Sequence, residues 1–287
     1  MKKLFGGIDL TWKKVILGAV VAGVFTALMA LIKPLEFTSF NTITVSFEYW
    51  ILIGIIIIMN SKSNLDSALK CFVFFLISQP LVYLIQVSFN AYGWGIFVYY
   101  RYWFLWTLFT LPMGYIGYYM KKGKWWGYVI LLPMIFLLIQ SYFLYLGHFM
   151  FYRPRYILTV LYCAAMAIGL PIWLFEDKRI RKVGAAIGIL AVVAFTAIRF
   201  VNPWYYHTSV FGNSKEHPFD STSKAYFTDP SFGDVNILYD EGLEDYLLDV
   251  TFKKGGKTTL VIEAADGTTQ EYAMDIRIDT YRYERIK

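Results

Sequence analysis

Three observations predict an α-helical transmembrane bundle of about seven spans followed by a small all-β, immunoglobulin-like sandwich. Apolar runs of about 18 residues or more, enough to cross a bilayer, recur up to Val201. Before that residue the acids are only Asp9, Glu36, Glu48, Asp66, Glu176 and Asp177, whereas Asp220, Asp229, Asp234, Asp240, Glu241, Glu244, Asp245 and Asp249 follow it. Beyond Asn202 apolar and polar residues alternate with the period of strands. The expected organisation is a membrane domain over residues 1–201 and a β domain over 202–287. Only 17% of residues are charged, against about 25% in a soluble domain. The net charge of +6 combines a basic membrane part with an acidic tail and does not argue for nucleic acid.

The first span is expected over Val15 to Ile32, uncleaved, because the run is long for a signal core and no clear cleavage site follows. Its small residues Ala19, Gly23 and Ala27 recur every fourth position. Such a stripe lets another helix come close, either within this chain or from a separate membrane subunit. Pro34 to Thr42 reads as a loop, Ile43 to Asn60 as the second span and Cys71 to Phe89 as the third. Asn90 to Trp106 is dense in Tyr and Trp, rings that favour the membrane–water boundary. Trp103 to Tyr119, Trp126 to Leu146, Tyr156 to Phe175 and Val183 to Val201 complete the seven.

Charge in the connecting segments sets the orientation. Lys2, Lys3, Lys13, Lys14, Lys62, Lys70, Lys121, Lys122, Lys124, Lys178, Arg179, Arg181 and Lys182 fall on one side, and Lys33, Arg101, Arg153, Arg155 and Arg199 on the other. Positive residues stay in the cytoplasm. The N-terminus is therefore expected inside and, after an odd number of spans, the β domain outside a bacterial cell membrane.

In the tail, Val235 to Tyr239, Tyr246 to Phe252, Lys257 to Ala264 and Glu271 to Ile278 read as strands. Asp266-Gly267 makes a hairpin between the last two. Tyr246, Leu248, Val250 and Phe252 should share one face, as should Leu260, Ile262, Tyr272, Met274, Ile276 and Ile278.

Chemistry is sparse. No H-E-x-x-H, G-x-S-x-G or Walker loop is present, so an enzyme is the class with least support. Cys71 and Cys163 lie in apolar runs at different expected depths, which argues against a disulfide. His148, His207 and His217 are too scattered for a metal centre. The acidic run Asp229 to Asp245 lacks EF-hand spacing and reads as a solvated face rather than a calcium site. No cofactor is expected.

The threading gathers Glu48, Arg101, His148, Arg153, Arg155 and Arg199 near the outer interface with Trp94, Tyr100 and Trp103. Arginine forks take phosphate or carboxylate, and aromatic faces take rings or cations. The plain alternative is an aromatic belt with snorkelling arginines. Pro80, Pro112, Pro133 and Pro171 each interrupt a different span and free a backbone carbonyl. Gln79, Gln86 and Gln140 are the nearby amides expected to answer them.

TWKKVILGAVVAGVFTALMALIKP (residues 11–34), FEYWILIGIIIIMNSKSNLDSALKCFVFFLISQPLVYLIQV (47–87) and YYMKKGKWWG (118–127) resemble a family of uncharacterised multi-pass membrane proteins of Gram-positive bacteria. That resemblance implies a bacterial cell membrane and assigns no activity. The first span alone also resembles the substrate-binding components of energy-coupling-factor vitamin transporters. The extra span and outer β domain depart from that pattern. Three function classes follow. The first is a transporter-like module binding or passing a small solute or lipid at its outer face. The second is a surface scaffold whose β domain meets wall polymer or a protein. The third is a vitamin-type substrate-binding component.

Overall fold

The computed structural model describes residues 4–90, 92–152, 154–213, 218–277 and 280–286; Lys2, Lys3, Arg153, His217 and Ile278 lie outside the described residues. Eight α-helices precede seven strands among them: α1 Trp12–Leu31, α2 Ser39–Val45, α3 Phe47–Asn60, α4 Asn64–Gln86, α5 Phe97–Gly117, α6 Trp125–Phe151, α7 Ile157–Leu174 and α8 Lys178–Val201. Helices α1, α4, α6, α7 and α8 are long and apolar enough to cross a membrane, and the bent pair α2–α3 makes a sixth candidate. Helix α5 is long enough at 21 residues, but its Tyr, Trp and Arg101 content leaves it outside that group.

The expected second span is broken. Helices α2 and α3 meet at 49° around Ser46, whose backbone is extended at φ −96°, ψ −177°. The reason is local. SFNTITV (residues 39–45) is rich in β-branched and hydroxyl side chains, which disfavour a continuous helix and bond the nearby backbone instead. Thr44 Oγ1 donates to the Phe40 carbonyl at 2.9 Å, and Ser46 Oγ turns back on the Thr42 carbonyl. By contrast Pro80, Pro112, Pro133 and Pro171 each lie inside one helix.

The chain divides into two compact units, Met1–Phe143 with Ile157–Thr196, and Leu144–Tyr156 with Ala197–Lys287. In the first unit, small residues set the helix spacing. A Cβ at Gly23 would stand 2.8 Å from the Ser78 carbonyl oxygen, one at Gly114 3.0 Å from Ala68 Cα, and one at Gly188 2.9 Å from the Ala167 carbonyl oxygen. The Ala19, Gly23, Ala27 stripe is thus buried against α4 of the same chain, which is the intramolecular use of close helix approach. Asn60, at the end of α3, ties down the N-terminal segment: its Oδ1 accepts from the Gly6 and Ile8 amides, and its Nδ2 donates to the Leu4 carbonyl at 2.7 Å. Cys71 and Cys163 are buried free thiols.

The second unit joins the far ends of α6 and α8 to the β region. Trp204 packs within it. Its ring meets His148 edge-on at 4.8 Å, and the Arg199 guanidinium lies over it at 5.5 Å. The Gly255 amide donates to the Phe151 carbonyl at 2.5 Å. The strands are β1 Tyr206–Gly212, β2 Lys224–Phe227, β3 Gly233–Asp240, β4 Asp245–Phe252, β5 Gly256–Glu263, β6 Thr269–Arg277 and β7 Thr280–Arg285. They form two antiparallel sheets, in the orders β1-β4-β3 and β2-β5-β6-β7. The expected inner residues Leu248, Val250, Phe252, Leu260, Ile262, Met274 and Ile276 are buried, while Tyr246 and Tyr272 are half-buried. Phe227 and Phe252, one from each sheet, bring their rings to 5.8 Å. The β5–β6 hairpin turns at Asp266-Gly267, where Gly267 takes φ +84°, the left-handed region that glycine enters without a steric penalty.

Candidate functional site

Within the first unit a cavity of about 500 Å³ opens between α1, α3, α4 and α5. It lies at the end of the bundle where α1 and α4 finish and α5 begins, the end opposite Lys62, Lys70 and Lys121. Two helical stripes face it. Helix α4 supplies Gln79, Val82, Tyr83 and Gln86, spaced i, i+3, i+4, i+7 on one face. The start of α5, with the short 3-10 turn before it, supplies Ile96, Tyr99, Tyr102 and Trp103. Thr26 and Ala30 come from α1, Trp50 from α3, and Val45, Asn90 and Tyr92 complete the wall. None of these lining residues carries a charge.

The polar groups on this wall differ in how they are satisfied. Gln86 Nε2 donates to the Val82 carbonyl at 3.0 Å, Thr26 Oγ1 to the Thr44 carbonyl at 3.3 Å, and Asn90 Oδ1 accepts the Tyr92 amide at 2.9 Å. Gln79 is buried, at 2% exposure, and its Nε2 has no hydrogen-bond partner among the described residues. A buried donor left without an acceptor is costly. The expectation that Gln79 answers a carbonyl freed by a proline is therefore not how the amide nitrogen is used; Gln86 bonds its own helix, and Gln140 points outward from α6.

The other residues expected at an outer mouth are dispersed. Trp103 lines the cavity. Tyr100 packs beside it against Tyr83 at 6.0 Å, and Trp94 is exposed, stacked on Phe97 at 5.7 Å. Arg101 is exposed on α5. Glu48 is buried at 1% exposure in the first turn of α3. The Ser46 hydroxyl donates to its carboxylate and the Tyr162 hydroxyl to its backbone carbonyl at 3.3 Å; no ion pair to Glu48 exists among the described residues. His148 and Arg199 belong to the second unit, packed with Trp204, Tyr145 and Tyr156. Arg155 lies over the Tyr152 ring at 4.9 Å.

Sequence reasoning missed Thr26, Trp50, Tyr83 and Asn90 as wall residues. The signal that finds most of the wall is the pairing of two stripes, Gln79-Val82-Tyr83-Gln86 and Tyr99-Tyr102-Trp103, on consecutive helices joined by a short turn. In the β region the acidic residues are used by turns. Asp240 Oδ1 accepts the Gly242 and Leu243 amides, and Asp229 accepts the Ser231 amide and pairs with Lys254. Among the described residues no group of three His, Cys, Asp or Glu side chains could hold a metal ion. Comparison with protein-family models, with curated proteins and with solved structures found no match.

Proposed function

We propose that this chain is a multi-pass bacterial membrane protein that binds, and passes, a small uncharged solute or lipid head group in the cavity between α4 and α5. The observation that carries the reading is the uncharged wall itself: three side-chain amides, Gln79, Gln86 and Asn90, set among six aromatic rings, Thr26 and four aliphatic side chains. Aromatic faces suit the flat faces of ring compounds, and side-chain amides both donate and accept toward hydroxyls. The lack of charge on the wall favours a neutral partner over the phosphate or carboxylate that arginines would hold.

In this reading the chain crosses the membrane seven times, counting α2–α3 as one broken span and α5 as another. The N-terminus is inside and the β region, a seven-stranded sandwich of immunoglobulin type, is outside. The asymmetry of lysine and arginine supports that direction, and it gives the cavity an outward opening.

The test uses the full chain in lipid nanodiscs with methyl β-glucoside and N-acetylglucosamine as soluble probes. Binding is read from the fluorescence of Trp50 and Trp103, which line the cavity. Gln79→Leu is expected to weaken binding about tenfold, the equivalent of one hydrogen bond. Equal binding by wild type and variant, or none by either, removes the reading. In intact spheroplasts an added protease should cut the β region; cutting only after lysis reverses the orientation.

A surface scaffold is the second reading. The solid packing of His148 and Arg199 on Trp204 favours it, because those cationic side chains then serve to join helix ends to the β region. A failure of both probes to bind would leave this reading standing.

A further inference from the structure

A second cavity lies deeper in the same unit, between α3, α4, α5 and α6. It is small, about 80 Å³, and almost wholly apolar. Helix α3 presents a continuous stripe to it, from Trp50 through Gly54 to Ile58, about 12 Å along the axis. Trp50 and Trp103 line this cavity and the amide-lined one alike. Their two indoles are thus a shared wall between a polar chamber near the end of the bundle and an apolar one further in. Packed helices normally leave no such gap. Gly54 borders open space: an added Cβ would find nothing within 4 Å. Met113 and Met134 also line it, and unbranched thioethers repack readily around an inserted chain.

From this adjacency we infer that the ligand is an amphiphile, a neutral glycolipid whose uncharged hydroxylated ring rests beside Gln79 and Gln86 while one apolar chain passes Trp50 and Trp103 and lies against Gly54. The inference rests on the proposed function and narrows its substrate to a lipid. Two chambers of opposite polarity sharing one wall match a molecule with two ends of opposite polarity. A free sugar would leave the apolar chamber unused, and a simple hydrocarbon would leave the amides of the first chamber without a polar partner.

The experiment measures binding of n-alkyl β-glucosides, from methyl to octyl and below their micelle concentrations, to the full chain in nanodiscs. Each methylene that enters an apolar site should tighten binding about fourfold. Wild type is expected to show that rise until the chamber is full. Gly54→Phe fills the chamber and should flatten the rise while leaving methyl glucoside binding unchanged; Gly54→Leu, a smaller plug, should flatten it at a longer chain. The same slope in wild type and in both Gly54 variants means the alkyl chain sits in the bilayer, and overturns the inference. In that case a loss of methyl glucoside binding in Gln79→Leu keeps the polar site intact. If methyl glucoside binding is indifferent to Gln79→Leu, the underlying reading fails and the inference with it.

Discussion

Replacing Gln79 by Leu should make the protein more stable while weakening its binding about tenfold. The side chain is 2% exposed and its Nε2 has no partner among the described residues. An unsatisfied buried donor costs about 1–3 kcal/mol, and an apolar group of similar shape removes that cost. Leu also suits the apolar setting of α4, a 23-residue helix, so no loss of helix propensity offsets the gain. At about 2–4 °C per kcal/mol for a chain near this size, the ligand-free variant should melt roughly 2–12 °C above wild type. The assay is a thermal melt followed by intrinsic fluorescence, with and without saturating methyl β-glucoside. The probe should raise the wild-type midpoint by mass action and raise the variant's by less. A variant that melts at or below the wild-type temperature would show that the amide already has a good partner at rest. Gln79 would then hold no unmet donor, whatever the variant did to binding.

Three further outcomes test the packing. Gly23→Val puts a side chain where a Cβ already stands 2.8 Å from the Ser78 carbonyl; backbone cannot yield cheaply, so α1 must move off α4 at about 1–3 kcal/mol, seen as a lower melting temperature. Phe252→Ala empties a fully buried site between the two sheets and should cost about 3–5 kcal/mol; limited proteolysis should then cleave the β region early while helical circular dichroism is retained. At the β5–β6 turn the Thr268 hydroxyl, and then the Thr268 amide, hold the Asp266 carboxyl below the ordinary carboxylate range. A carboxyl with a lowered folded value stabilises the turn above its unfolded value, and that contribution vanishes as pH falls through the folded one. The protection factor of the Thr268 amide, its exchange rate relative to an unstructured peptide at the same pH, should therefore fall on acidification in wild type and lose most of this pH dependence in Asp266→Asn.

How far the sequence carried the fold depends on whether the signal was periodic within one element. Strand alternation placed Leu248, Val250 and Phe252 on one face and Leu260, Ile262, Met274 and Ile276 on another, and all seven are buried. The pair Asp266-Gly267 marked a hairpin because its backbone conformation is a property of those two residues. Apolar runs likewise gave the long helices. The break at Ser46 was lost inside such a run, because hydropathy averages over the hydroxyl and β-branched positions that weaken the helix there.

The cavity was illegible for a different reason. Charge is rare in the apolar part of this chain, so Glu48, Arg101 and Arg199 stand out in the sequence as site candidates. Burial works against such groups. Glu48 is held by the Ser46 hydroxyl inside α3, Arg101 stays exposed, and Arg199 packs on Trp204. The neutral amides, which a bundle interior tolerates more readily, remain to build a site. Helix α5 could not reveal it alone, because rings surround it: Tyr99 and Trp103 line the cavity while Phe109 and Tyr115 are exposed elsewhere on the helix. The tie is broken by its neighbour. Only α4 carries amides at 79 and 86 on the face that also bears Tyr83, and α5 runs back antiparallel against that face. A polar stripe on one helix thus identifies which side of a uniformly aromatic partner faces inward, a relation that exists between two elements and in neither by itself.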